Sequence, residues 1–397
     1  MKKAMTKKPI SIEASERVKR LPPYLFAEVD RLKRELQAKG KDVIDLGVGD
    51  PDLPTPSFVI EALAKAAKDA PNHRYALDQG MPELRQAISK WYQKRFGVKV
   101  DPESEILPLI GSKEGIAHLP LALMNPGDVS LVPDPCYPVY KSATWFAGGE
   151  VQLMPLLEEN GFLPDLKSVE QEMSKKTKLM FLNYPNNPTG AIASENFFKN
   201  AVSFAQDHQL MVAHDAAYTE ISFDGYQPSS FLEAEGAKEC SIEFHSLSKT
   251  LNMTGWRVGF ACGNKDMIRH LGKIKSNIDS GIFRAIQWAG IAALEQGEAE
   301  NARLNKIYQK RRDIVLNGFR SFGWKVNPLK ATFYVWLAVP PGYTSQELCM
   351  KLLKEANVVV VPGNGFGPNG EGYFRISLTI SDDRLEEAIE RIKKIHS

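Results

Sequence analysis

Between Ser246 and Gly259 the chain sets two serine hydroxyls, a lysine and an arginine in one short run: Ser246, Ser248, Lys249 and Arg257. A lysine amine can condense with an aldehyde to form an imine, and hydroxyls with a guanidinium can hold a phosphate. Pyridoxal 5′-phosphate requires that combination of a protein, an imine-forming lysine beside an anion cradle. Taken alone, the run also reads as a surface lysine and arginine beside a serine-rich turn.

Further segments add to it. Gly111-Ser112-Lys113-Glu114-Gly115 follows the apolar run 106–110 and opens the apolar stretch 116–124. A helix that starts there offers free backbone N–H groups, with the Ser112 hydroxyl and the Lys113 charge beside them, and so a phosphate seat; an ordinary capped helix start is the other reading. Tyr137, in Asp134-Pro135-Cys136-Tyr137-Pro138, can stack on a flat ring or simply belong to a turn. The proline-bracketed segment 183–190 presents Asn187 as a directional donor, or is merely a tight strand-to-helix turn. In His214-Asp215-Ala216-Ala217-Tyr218, the Asp215 carboxylate can keep a pyridine nitrogen protonated and Tyr218 can donate to a ring oxygen. Asp215 also reads as a helix cap. Arg375, in Phe374-Arg375-Ile376-Ser377, has the planar fork that grips a carboxylate, or makes a strand-edge salt bridge.

The elements that must position these groups are legible as periodicity. Short apolar runs at 106–110, 129–132, 179–182, 210–213, 242–244 and 258–261 alternate with helical patterns. This is the signature of an α/β layer fold with a mostly parallel sheet. A strand at 43–46 ends in a loop at 47–51. Leu84, Ile88, Trp91 and Tyr92 make one apolar helix stripe. Beyond about Gly290 a long polar helix, strand-like runs at 333–339, 358–361 and 373–378, and a last helix from about 382 to 395 suggest a smaller α+β unit. Most of the candidate groups fall at or just beyond predicted strand ends, where open α/β sheets bind ligands.

Composition bounds the rest. The chain has 397 residues, 43% of them hydrophobic and 25% charged, enough for about two domains with ample core. A net charge of +2 leaves no basic field for nucleic acid. Its four cysteines are scattered, with no metal-ligand spacing, so no metal is expected and a reduced, cytoplasmic setting is the plain reading. The basic start has no apolar stretch behind it to make a signal peptide, and no run is long enough to span a membrane.

Taken in order, these motifs resemble the fold-type I, pyridoxal phosphate-dependent class I/II aminotransferases over nearly the whole chain. The resemblance implies Lys249 as the Schiff-base lysine, with Ser112, Lys113, Ser246, Ser248 and Arg257 around the phosphate. It implies Asp215 at the pyridine nitrogen, Asn187 and Tyr218 at the phenolic oxygen and Tyr137 over the ring, with Lys249, Asp215 and Tyr137 as the catalytic set. Arg375 would take the α-carboxylate. Tyr75, in His73-Arg74-Tyr75, would reach the phosphate of a neighbouring subunit, which implies a homodimer with shared active sites. The resemblance also pairs the two termini: residues 1–55 form an N-terminal arm and part of a small domain, 56–290 the large cofactor-binding domain, and 291–397 the rest of the small domain.

Within that family the chain is most similar to the LL-diaminopimelate aminotransferases. The likeness rests on the segments 21–26, 47–51, 111–118, 252–257, 275–281 and 370–375. By it, Tyr24, Gly49 and Lys113 would line the substrate pocket. Asp78 holds the place of an acidic residue that approaches the distal end of the substrate in plant-type members, and Ser280 stands where those members carry asparagine. The implied reaction is a ping-pong transamination through pyridoxamine phosphate, with 2-oxoglutarate as acceptor, in lysine biosynthesis. Competing expectations are a general aminotransferase for aspartate, alanine, aromatic residues or kynurenine, a β-lyase, and a cofactor-sensing regulator. The last lacks room before Tyr24 for a DNA-binding module.

Overall fold

The computed structural model describes residues 10–21, 27–76 and 79–396. A short strand, β1 (Ile44–Asp45), precedes the large sheet. That sheet is built from β2 (Ile106–Leu109), β3 (Val129–Asp134), β4 (Glu150–Pro155), β5 (Thr177–Asn183), β6 (Met211–Asp215), β7 (Ser241–Ser246) and β8 (Gly259–Gly263). Across it the order is β2-β8-β7-β6-β5-β3-β4. β8 runs antiparallel to both neighbours and every other pairing is parallel.

The continuous apolar runs follow from burial on both faces, because successive strand residues point to opposite sides. Leu131, Met180, Leu182 and Val212 enter one core, against Ile88 and Tyr92 of the helix Pro82–Phe96 and Phe198 of the helix Glu195–Asp207. Their neighbours Val132, Leu179, Phe181 and Ala213 enter another, against Ile116 and Leu119 of the helix Ser112–Leu123.

Three differences from the expected elements have physical causes. β4 gave no apolar run because it is an edge strand whose residues, Met154 apart, are exposed or half-buried. His214 and Asp215, expected just beyond a strand, lie inside β6. There His214 pairs across the sheet with Glu243 and Asp215 with Asn183, so polar pairing extends the strand past its apolar part. The run 358–361 is not one strand. β10 (Val358–Val359) pairs in parallel with β1, whereas β11 (Val361–Pro362) pairs antiparallel with β12 (Tyr373–Ser377).

β12 also pairs with β9 (Tyr334–Ala338). Behind this second sheet, Ile44 and Leu46 share a core with Val335, Phe374 and Ile376, and with Leu385 and Ile389 of the helix Asp382–His396. Residues from the two ends of the chain are therefore packed together. Among the described residues no helix is long and apolar enough to cross a membrane.

The parallel strands β3, β5, β6 and β7 end on one edge of the large sheet. Ser246 there lies opposite Gly259, which lies opposite Leu109. The last residues of β5 and β6, Asn183 and Asp215, are opposite one another.

Candidate active site

At this sheet edge, between the large sheet and β12, lies a cavity of about 640 Å³. Lys249 opens into it from the short helical turn Leu247–Thr250, directly after β7. The Ser246 hydroxyl caps that turn by accepting from the Ser248 N–H at 3.2 Å. The Lys249 Nζ donates to the Gly49 carbonyl at 3.1 Å. Burial lowers its pKa from 10.5 to about 8; Arg257 and Arg375 push the same way and Asp50 opposes them. Neutral amine, the nucleophilic form, is thus accessible near physiological pH.

Beside the lysine is an anion cradle. Ser112 begins the helix Ser112–Leu123, so its N–H faces out of the helix end. Gly111 before it has φ 78°, and a Cβ there would overlap the Arg257 guanidinium. Arg257 also has a left-handed backbone (φ 56°) and donates to the Thr254 carbonyl at 2.9 Å. Ser246 and Ser248 line the same cavity. The helix start is tied down from behind: Lys275, fully buried, donates to Glu114 and Asp279 at 3.2 and 2.7 Å. Two of the segments that carried the resemblance therefore meet.

Asp215 accepts from the Tyr140 hydroxyl at 2.7 Å and from the Ala217 N–H at 3.2 Å. Burial raises its pKa, and the Tyr140 hydrogen bond opposes the rise. An adjacent cation would favour its ionised form. Asn183 joins β5 to this point, donating to the Asp215 carbonyl at 2.7 Å and accepting from the Asn187 N–H at 2.8 Å. Tyr137 is edge-on to Tyr140, and burial pushes its hydroxyl up to about 12. The Tyr218 hydroxyl lies 3.4 Å from that of Tyr334.

Arg375 reaches the cavity from β12. It donates to Asn187 Oδ1 at 2.8 Å and to the Gly47 carbonyl at 2.9 Å, and the Asn187 amide nitrogen has no acceptor among the described residues. Tyr334 and Phe366 cover the guanidinium, 4.0 and 4.7 Å from their ring centres. The residue is 7% exposed, its Nε has no hydrogen-bond partner, and no carboxylate pairs with it among the described residues. A buried guanidinium without a counter-ion is costly. Lys113, Lys249 and Arg257 likewise make no ion pair among the described residues. These cations, hydroxyls and N–H groups fit a phosphate and a carboxylate, and the lysine fits an aldehyde.

The structure therefore brings together Gly49, Lys249, the three serines, Lys113 and Arg257 on one side, and Tyr137, Asn187, Asp215, Tyr218 and Arg375 on the other. Tyr75 is not among them. It is 85% exposed and lies in a separate surface groove with Ser280, Phe283 and Arg284. Tyr24 and Asp78 lie outside the described residues.

Sequence reasoning missed Tyr140, Tyr334, Phe366 and Asp30, which lines the cavity from the helix Ala27–Ala38. Only Tyr140 carried a signal, three residues after Tyr137. Reasoning also missed the buried cluster behind Asp215. Glu243 there accepts from His214 Nδ1 and His245 Nε2, each at 2.7 Å, and from the Ser230 hydroxyl and the Tyr92 hydroxyl. Because His214 Nε2 accepts from the Tyr184 N–H at 3.3 Å, its proton sits on Nδ1. Burial opposes ionisation of Glu243, but the two histidine hydrogen bonds outweigh it and hold the carboxyl well below its usual range.

Known proteins resemble this chain in sequence and fold. The family model for aminotransferase class I and II matches residues 41–392. The LL-diaminopimelate aminotransferase of Syntrophobacter fumaroxidans is 56% identical, over 96% of this chain and 98% of its own. That of Moorella thermoacetica is 53% identical, over 97% and 98%. The substrate-bound structure of BacF from Bacillus subtilis superposes with a TM-score of 0.93 at 41% identity, covering 98% of both chains. An aspartate aminotransferase mutant from Thermus thermophilus superposes at 0.91 with 31% identity, covering 97% of this chain and all of its own. The chain is an enzyme with the fold-type I architecture, and it belongs to the class I and II aminotransferase family.

Proposed function

We propose that this aminotransferase uses pyridoxal 5′-phosphate to move an amino group from LL-diaminopimelate to 2-oxoglutarate, a step of lysine biosynthesis. The observation that carries the chemistry is a half-buried lysine of lowered pKa sharing a cavity with a buried arginine that meets no carboxylate among the described residues. The choice of donor is supported by the LL-diaminopimelate aminotransferases that match this chain nearly end to end.

When bound, pyridoxal 5′-phosphate supplies an aldehyde for the amino group and an electron sink for charge at the substrate α-carbon. Ser112, Ser246, Ser248, Lys113 and Arg257 would hold its phosphate. Asp215 would keep a proton on its pyridine nitrogen, with Tyr140 and Ala217 holding the carboxylate in place. Asn187 and Tyr218 would serve its phenolic oxygen and Tyr137 its ring. Arg375 orients donor and acceptor through the carboxylate they share. As a neutral amine, the Lys249 Nζ would take the proton from the substrate α-carbon and hold it as an ammonium. At the far end of a long donor, Lys113 suits a second carboxylate. Asp30 suits a second ammonium, because its carboxylate has no partner among the described residues.

The same reading makes the working form a homodimer in the cytoplasm, with Tyr75 completing the phosphate site of a second copy. The exposed Tyr75, Ile278, Phe283 and Trp288 support a covered face there. It also assigns residues up to about 55 with 291–397 to one domain, which the pairing of β1 with β10 supports.

The test is to mix the cofactor-loaded protein with LL-diaminopimelate, meso-diaminopimelate, aspartate, alanine, phenylalanine and kynurenine in turn and follow the cofactor absorbance in a single turnover. Rapid change with LL-diaminopimelate alone, reversed by 2-oxoglutarate, is expected. A comparable response to the common amino acids would replace this reading with a general aminotransferase.

A further inference from the structure

The loop after β1 is held along its whole length. Four successive carbonyls accept hydrogen bonds: Leu46 from the Ser377 N–H at 2.7 Å, Gly47 from Arg375, Val48 from the Thr379 hydroxyl at 2.8 Å, and Gly49 from the Lys249 Nζ. The first three partners belong to β12 and its continuation, and the fourth is the lysine. One loop thus touches both the candidate carboxylate-binding arginine and the candidate proton carrier, through carbonyls two residues apart.

On its far side the loop is gripped by Arg311, from the helix Glu298–Ser321. Both terminal nitrogens of Arg311 donate to the Asp52 carboxylate, at 2.7 and 2.8 Å. The same guanidinium donates to Asp382 at 3.1 Å and to the Leu378 carbonyl at 3.1 Å. It is 3% exposed and outside the cavity. A bidentate fork fixes direction as well as distance. Tyr334 blocks Gly49 from moving inward, since a Cβ there would fall on the phenol. The Gly49 carbonyl is therefore set by Thr379 on one side and Arg311 on the other.

We propose that Arg311, through its bidentate grip on Asp52, is a positioning residue for transamination that places the Gly49 carbonyl so that the Lys249 Nζ stays aimed at the substrate α-carbon. It never touches substrate. The proposal rests on Lys249 being the proton carrier, and its test separates the two.

Arg311→Met, Lys249→Ala and the double variant are compared in single-turnover deamination of LL-diaminopimelate, with and without added methylamine as a free base. A misplaced reacting group costs roughly 10²-fold, so Arg311→Met is expected to lower the rate by about that factor, with the donor KM changed less than about threefold and Arg311→Lys restoring part of the rate. In the methylamine-rescued Lys249→Ala background, Arg311→Met is expected to cost nothing, because no tethered amine remains to be aimed. An equal loss in both backgrounds, or no loss in the parent, overturns the positioning role. Normal turnover by Lys249→Ala instead overturns the assignment of Lys249. Should Arg311→Met fail to fold, Asp52→Asn takes its place in the same cycle with the same expected outcomes.

Discussion

The Arg375 guanidinium lies 4.0 Å from the centre of the Tyr334 ring and is covered by Phe366 on another side, yet meets no carboxylate among the described residues. The rings keep it in place at a cation–π distance but cannot neutralise it. A substrate carboxylate can. Hydrogen bonds to charged groups contribute about 1.5–3 kcal/mol, so Arg375→Lys is expected to raise KM for donor and acceptor alike by roughly 10- to 100-fold. Steady-state kinetics with both substrates checks this. An effect on the donor alone would mean that the two substrates do not share the arginine.

The lowered pKa of Lys249 gives a pH dependence with a definite sign. Below about 8 the half-buried amine is mostly protonated and cannot attack an aldehyde, and above it the neutral form dominates. Loading of cofactor-free protein with pyridoxal 5′-phosphate is therefore expected to quicken as pH rises and to level off past about 8. An ordinary lysine would keep gaining towards 10.5. Stopped-flow absorbance across that range distinguishes the two.

Gly49 has no room for a side chain. Besides the Tyr334 hydroxyl, a Cβ there would meet ring carbons at 2.6 and 2.7 Å. Gly49→Ala must push the loop off Lys249, and overpacking of this kind costs about 1–3 kcal/mol. Reduced turnover and reduced thermal stability are both expected. Adding Tyr334→Phe is expected to restore neither, because the ring carbons remain. Recovery in that double variant would show that only the hydroxyl was in the way.

The buried Glu243 cluster supports the sheet behind Asp215. Glu243→Leu would take the shared acceptor from His214 and the Ser230 hydroxyl, and would leave the Tyr92 hydroxyl and His245 only each other. Breaking a buried, hydrogen-bonded charge cluster by removing one member costs about 3–5 kcal/mol, and a loss of that size is expected in urea-induced unfolding. An unchanged midpoint would contradict the cluster's structural role.

The chemistry was legible from the sequence because it sits in short contiguous motifs. Each of Gly111–Gly115, Asn183–Gly190, His214–Tyr218 and Ser246–Gly259 ends or follows a strand, and the shared direction of β2, β5, β6 and β7 carries them to one edge. The strands were legible because burial on both faces makes them uniformly apolar. What escaped notice depends on contacts between distant segments. Tyr334 and Phe366 look like ordinary core aromatics until β9, β11 and β12 pack them around Arg375. Arg311 looks like one more charge on a polar helix until Asp52, 259 residues away, meets it. β4 was invisible because an exposed edge strand has no apolar run, and β6 looked too short because its last residues are held by polar cross-strand pairs.

The central claim is that Lys249, and no other lysine, bonds to the cofactor aldehyde. Borohydride reduction of the cofactor-loaded protein fixes such a bond irreversibly, and peptide mass spectrometry then locates it. A single pyridoxyl-modified peptide carrying the label on Lys249 is predicted. Label on Lys113, or protein that retains bound cofactor but yields no modified peptide, would contradict the account.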